Sequence, residues 1–192
     1  FDASFYSNWS LNEVKFQTKN DMYKKTNYDD FLKFNSNNIL EDLQKKINEF
    51  QPDFIFWSAI SSHIHGEGEY VNIQNGYDLL KDIDTKNAIL ISGGLQATSA
   101  TEIILKKMDK INYLIGGESE LVLLEVLKNF DDQKKLKNKT EDLEKIDGIS
   151  YIKDKKFFQN KKQKIINDLD KLSPYDYDIF DKQSLIRPYN GA

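Results

Sequence analysis

The chain has 192 residues, 39% of them hydrophobic and 12% aromatic, which is enough for one sizeable core plus an appendage. Its 31 acidic and 27 basic residues leave a net charge of −4 spread along the chain, which argues against a nucleic-acid partner. No run approaches the roughly 18 apolar residues of a membrane span and Phe1-Asp2-Ala3-Ser4-Phe5-Tyr6 lacks signal-peptide blocks, so a soluble, cytoplasmic protein is expected; separately, the absence of cysteine excludes disulfides and thiolate metal sites from these residues.

Residues 1–38 are aromatic and polar, without a clean period, and predict a long irregular connection. From Ile39 the pattern turns helical: Ile39, Leu40, Leu43, Ile47 and Phe50 recur at helix spacing, Asn38 is placed to cap, and Pro52 ends the run. Phe54 to Ile60 is a short, aromatic-rich apolar stretch that suits a strand buried on both faces, as in a parallel sheet. A polar loop, 61–69, leads to helical spacing through Ile73, Tyr77, Leu80 and Ile83, and then to a second strand, Ala88 to Ile91, closed by Ser92-Gly93-Gly94. The cycle repeats with a short helix around Ile103 to Met108, a third strand over Ile111 to Ile115, the turn Gly116-Gly117, and a helix through Leu121 to Leu127. Alternation of this length predicts an α/β fold with a doubly wound, mostly parallel, Rossmann- or flavodoxin-like sheet over residues 39–130. Residues 131–145 are almost wholly charged or amide and predict a solvated connection. Ile149 to Phe158 reads as a hairpin around Asp154-Lys155-Lys156, and the extended stretch from Leu169 to Phe180 as a linker, so 131–192 is expected to be an appendage.

Ligands of open parallel sheets collect beyond the C-terminal strand ends, where helix N-termini offer free N–H groups. The three ends here carry Ser58-Ala59-Ile60-Ser61-Ser62, Ser92-Gly93-Gly94-Leu95-Gln96-Ala97-Thr98 and Gly116-Gly117-Glu118-Ser119-Glu120. Small residues at adjacent tips leave room for a slim ligand moiety; they also suit tight turns.

At these residues the chain resembles a known family. Ser58-x-Ile60, followed after 32 intervening residues by Gly93-Gly94, is similar to the paired motifs of cobalamin-binding domains. Gly93 to Thr98 and Tyr113 to Glu120 look like the "GG-x-x-x-T" and "G-E-G-E" blocks of radical S-adenosylmethionine enzymes that carry such a domain, with Ser119 a departure from the second block. Gly148-Ile149-Ser150-Tyr151, Asp168 to Leu172 and Tyr175-Asp176-Tyr177 resemble the connector into their catalytic barrel. The resemblance implies a cobalamin-binding module in which Ser58, Ala59, Ile60, Ser61, Ser62, Gly93, Gly94, Leu95, Gln96, Gly116, Gly117 and Glu118 border the corrinoid. The partner it implies is a barrel beyond Ala192, holding a [4Fe–4S] cluster and S-adenosylmethionine and acting by methyl transfer or ring formation on a small molecule or peptide. It also implies that the family's first strand and helix would precede Phe1. A second reading, of a different class, is a cofactor-less scaffold of the same ancestry.

The D-x-H-x-x-G loop by which another branch ligates cobalt is absent: Asp2-Ala3-Ser4-Phe5-Tyr6-Ser7 has serine where histidine would stand. His63 and His65 form an H-x-H with nearby carboxylates, read as a polar loop at the cofactor edge, with no metal site assigned. Glu118 and Glu120 suit a helix N-terminus better than acid–base work, and Phe1, Phe5, Tyr6, Trp9 and Phe16 are read as packing. No catalytic residue is expected within the chain.

Overall fold

The computed structural model describes residues 1, 3, 6, 35–58, 73–131, 143–161, 165–174, 176 and 178. The chain divides into two compact units, Phe1–Glu49 with Asp168–Ala192, and Phe50–Asn167.

The first unit contains helix α1, Ile39–Phe50, which buries Ile39, Leu43 and Ile47 along one stripe. Asn38 caps it as expected, its side-chain oxygen accepting from Leu40 N at 3.0 Å. The carboxylate of Asp42 accepts from Asn37 Nδ2 at 3.1 Å, Tyr6 Oη at 3.0 Å and Asn35 Nδ2 at 3.3 Å. These donors, Asn37 foremost, hold Asp42 below the usual carboxylate range. Further along, Asp168 accepts from Asp170 N at 3.2 Å and opens a 3₁₀ turn over Leu169–Lys171.

The second unit is a five-stranded mixed sheet whose strands lie in chain order, β1 to β5. Strand β1 (Phe54–Ser58) leads through helix α2 (Ile73–Leu80) to β2 (Ile89–Gly93). Two short helices follow, α3 (Leu95–Ser99) and α4 (Thr101–Lys107), then β3 (Tyr113–Ile115) and helix α5 (Ser119–Asp131). Strands β1, β2 and β3 are parallel, with Ser58 opposite Gly93 and Ser92 opposite Leu114. This is the Rossmann- or flavodoxin-like arrangement that the alternating pattern predicts.

Side-chain alternation along the strands divides the core in two. Ile73 and Tyr77 of α2, Ala97 of α3, and Ile104 and Leu105 of α4 pack with Leu114 on one face. Val122 and Val126 of α5 pack with Ile91, Tyr113 and Ile115 on the other, joined at the margin by Phe54 and Ile89. Gly76 belongs to the first face: a Cβ there would stand 2.6 Å from the indole nitrogen of Trp57, so the helix can approach β1 only with a bare Cα. Trp57 Nε1 donates to Ile73 O at 3.3 Å, and Ser92 Oγ, fully buried, donates to Trp57 O at 2.9 Å.

The structure departs from the sequence expectation in three places. Strand β1 was expected to be buried on both faces, yet Phe56 is 38% exposed, because β1 ends the described sheet and has a neighbour on one side only. The hairpin, β4 (Ile149–Lys153) and β5 (Lys156–Gln159), extends the sheet instead of standing apart from it: β4 runs antiparallel to β3, and Ile149 is fully buried. Its turn is made by Asp154 and Lys155, both left-handed at φ 51° and 62°, which matches the twist of the flanking strands. Within the charged stretch before it Leu143 enters the core, as does Ile146 just after that stretch, each 3% exposed. Residues 132–142 lie outside the described set.

Candidate functional site

The C-terminal tips of β1, β2 and β3 carry Ser58, Gly93-Gly94-Leu95 and Gly116-Gly117-Glu118, all at one end of the sheet as parallel pairing requires. Of the other expected site residues, Ala59, Ile60, Ser61 and Ser62 lie outside the described residues, as do His63 and His65; Gln96 falls within α3.

The two glycine pairs do different work. Gly94 and Gly117 are left-handed, at φ 100° and 84°, a conformation costly for any residue with a Cβ. Among the described residues, nothing stands within 4 Å of where a Cβ on Gly117 would fall. Gly93 is needed for closeness instead: a Cβ there would stand 2.8 Å from Ser119 Oγ and 3.5 Å from two carbons of the Phe56 ring. The space that the missing side chain leaves is thus bordered by the first residue of α5 and by the exposed ring of β1. Gly116 is the least constrained of the four, a Cβ there lying 4.0 Å from Gly148 O, and its own N–H donates to that carbonyl at 2.9 Å.

Two polar links fasten the tips, one to each other and one to the chain beyond the hairpin. Thr98 Oγ1 donates to Gly94 O at 3.0 Å and accepts from Gly117 N at 2.9 Å, joining the second and third tips through one hydroxyl. Glu118 Oε2 accepts from Ile166 N at 2.7 Å, so this carboxylate holds the chain that returns from the hairpin. Thr98, Ser119 and Phe56 were not among the expected site residues. Thr98 stands in the glycine-threonine block and Ser119 is a departure from its own block; only the fold brings Phe56 to Gly93.

Among the described residues, the titratable groups with displaced pKa values lie elsewhere. Burial, reinforced by the charge of Glu144, pushes the Tyr113 phenol up to about 12 at the opposite end of β3. There Tyr113, Tyr151, Glu144 and Lys153 line a cleft of about 620 Å³, with Lys153 Nζ 2.8 Å from Glu144 Oε2. Among the described residues no helix is long and apolar enough to cross a membrane.

No protein-family model matches the chain. Over 134 residues, 70% of its length, it is 24% identical to the anaerobic magnesium-protoporphyrin IX monomethyl ester cyclase of Cereibacter sphaeroides. The match spans 20% of that protein's own length, so the chain corresponds to about a fifth of it and is distantly similar there.

Proposed function

We propose that this chain is the cobalamin-binding module of a radical S-adenosylmethionine enzyme, holding a corrinoid at the C-terminal tips of β1 to β3. The observation that carries the reading is the ground above Gly117, where a Cβ would meet no described residue within 4 Å, at the end of the sheet where parallel α/β folds bind their ligands. Distant similarity to a ring-forming cyclase over most of the chain supports the same reading. The residues that would border the corrinoid are Ser58, Ala59, Ile60, Ser61, Ser62, Gly93, Gly94, Leu95, Gln96, Gly116, Gly117 and Glu118, and backbone N–H groups would meet its amides and phosphate. When bound, cobalt would supply a methyl carrier or a partner for radical chemistry. The cluster, S-adenosylmethionine and substrate would belong to an adjoining barrel.

The contact of Ser119 and Phe56 with Gly93 favours a second reading, a scaffold of the same fold that holds no cofactor. The two are separated by expressing the whole open reading frame that contains the chain, adding hydroxocobalamin, removing the excess and recording the visible spectrum. Corrinoid absorbance retained in proportion to protein is the expected result; a colourless protein selects the scaffold.

A further inference from the structure

Strands β3 and β4 part company at the end of the sheet away from the glycine tips. Their pairing joins Leu114 to Ser150 and Ile115 to Ile149, which sets Tyr113 opposite Tyr151. Beyond that point β4 runs on to Lys153 against β5, while the chain entering β3 keeps to β2, Asn112 N donating to Leu90 O at 3.0 Å. The divergence opens the cleft of about 620 Å³, a volume that suits a small organic molecule. Its inner wall is aromatic and apolar: Tyr113 and Tyr151 meet edge to face with ring centroids 6.0 Å apart, and Leu105, Ile111 and Ile152 line the side toward α4. Burial, reinforced by the charge of Glu144, raises both phenols, and the same charge makes the depth of the cleft unfavourable to an anion.

Most charges of the lining are already paired. Asp109 accepts from Tyr77 Oη at 2.7 Å, Lys106 Nζ lies 2.6 Å from Glu102, and Lys153 Nζ 2.8 Å from Glu144. Among the described residues Lys155, exposed at the hairpin turn, is the one lining charge without a partner. What the cleft offers a ligand is therefore a flat apolar wall inside and a positive charge at the mouth. A bare inorganic anion uses only the second of these, and a neutral hydrocarbon only the first.

We propose that this cleft is a binding site for a small aromatic acid, whose ring system lies against Tyr151, Ile111 and Ile152 and whose anionic group meets Lys155. It lies at the other end of β3 from the glycine tips, so it stands or falls independently of the corrinoid reading.

The test uses 8-anilinonaphthalene-1-sulfonate, which carries both features and brightens when its rings leave water, titrated into the whole protein and into its Lys155→Glu and Lys155→Arg variants, each first shown by its melt to be folded. One saturable site is expected, weakened about fivefold by Lys155→Glu and held within about twofold by Lys155→Arg. Naphthalene-2-carboxylate should displace the probe where the same concentration of inorganic sulfate does not, and nuclear Overhauser contacts should join the probe's ring protons to the Ile152 methyl groups. No brightening, an affinity that ignores the charge at position 155, displacement by sulfate, or ring contacts only to residues outside the cleft would each overturn the proposal.

Discussion

Gly93-Gly94 and Gly116-Gly117 are the same dipeptide at the ends of neighbouring strands, yet they serve different physics. In both pairs the second glycine supplies a left-handed turn. The first differs: Gly93 is pressed by Ser119 and Phe56, whereas Gly116 has room for a methyl group. Equal letters thus mark one crowded tip and one where, among the described residues, a side chain would find room.

The comparison can be broken by substitution. Gly93→Val should have the largest effect, destabilising by about 2 to 3 kcal/mol in denaturant melts because its methyl groups must displace the Phe56 ring and the Ser119 hydroxyl; an unchanged melt would mean that the tip is not crowded. The buried base of β3 supplies the next contrast. The phenol of Tyr113 is raised from 10.0 to about 12, so the folded state keeps a proton that the unfolded chain releases. Its contribution is whole below about pH 10 and is lost as the pH climbs toward 12, about 2 to 3 kcal/mol in all. Tyr113→Phe should flatten that alkaline decline, and an identical decline in the variant would assign it to other groups. Smaller still, Gly117→Ala should cost about 1 kcal/mol for its left-handed backbone, while Gly116→Ala should fall within a few tenths, both read as shifts in the melting midpoint. Equal shifts would erase the distinction between the two positions.

Much of the fold was legible because it is written locally. The stripe Ile39, Leu43, Ile47 with Asn38 before it announces α1, and the apolar runs at Phe54 and Ile89 announce parallel strands. The place of the hairpin was not legible, since its sequence shows two strands and a turn but not which edge they join. That depends on β3, three residues long, whose pairing with Ile149 and Ser150 is set by distant contacts. The embedding of Leu143 and Ile146 was hidden by the lysines and acids around them. At the tips, glycine spacing gave the positions but not the reasons, because the crowding at Gly93 comes from a serine 26 residues later and a ring on another strand. Glu118 was legible as a helix-start carboxylate, but not as the acceptor for Ile166, 48 residues away.

The hairpin begins and ends at the same place: Gly148 N donates to Lys161 O at 2.7 Å, and Asn160 N to Ile149 O at 3.0 Å. As a route from one end of the sheet to the other it therefore accomplishes nothing. What it changes is the rim. Without it, the apolar trio Tyr113-Leu114-Ile115 would offer open ladder groups to any passing chain; with it, the outermost strand on that side is Lys156-Phe157-Phe158-Gln159, preceded by Lys155 and followed closely by Lys161. Charge on an outer strand discourages stacking of one molecule on the next, so this detour of about a dozen residues acts as a guard against aggregation.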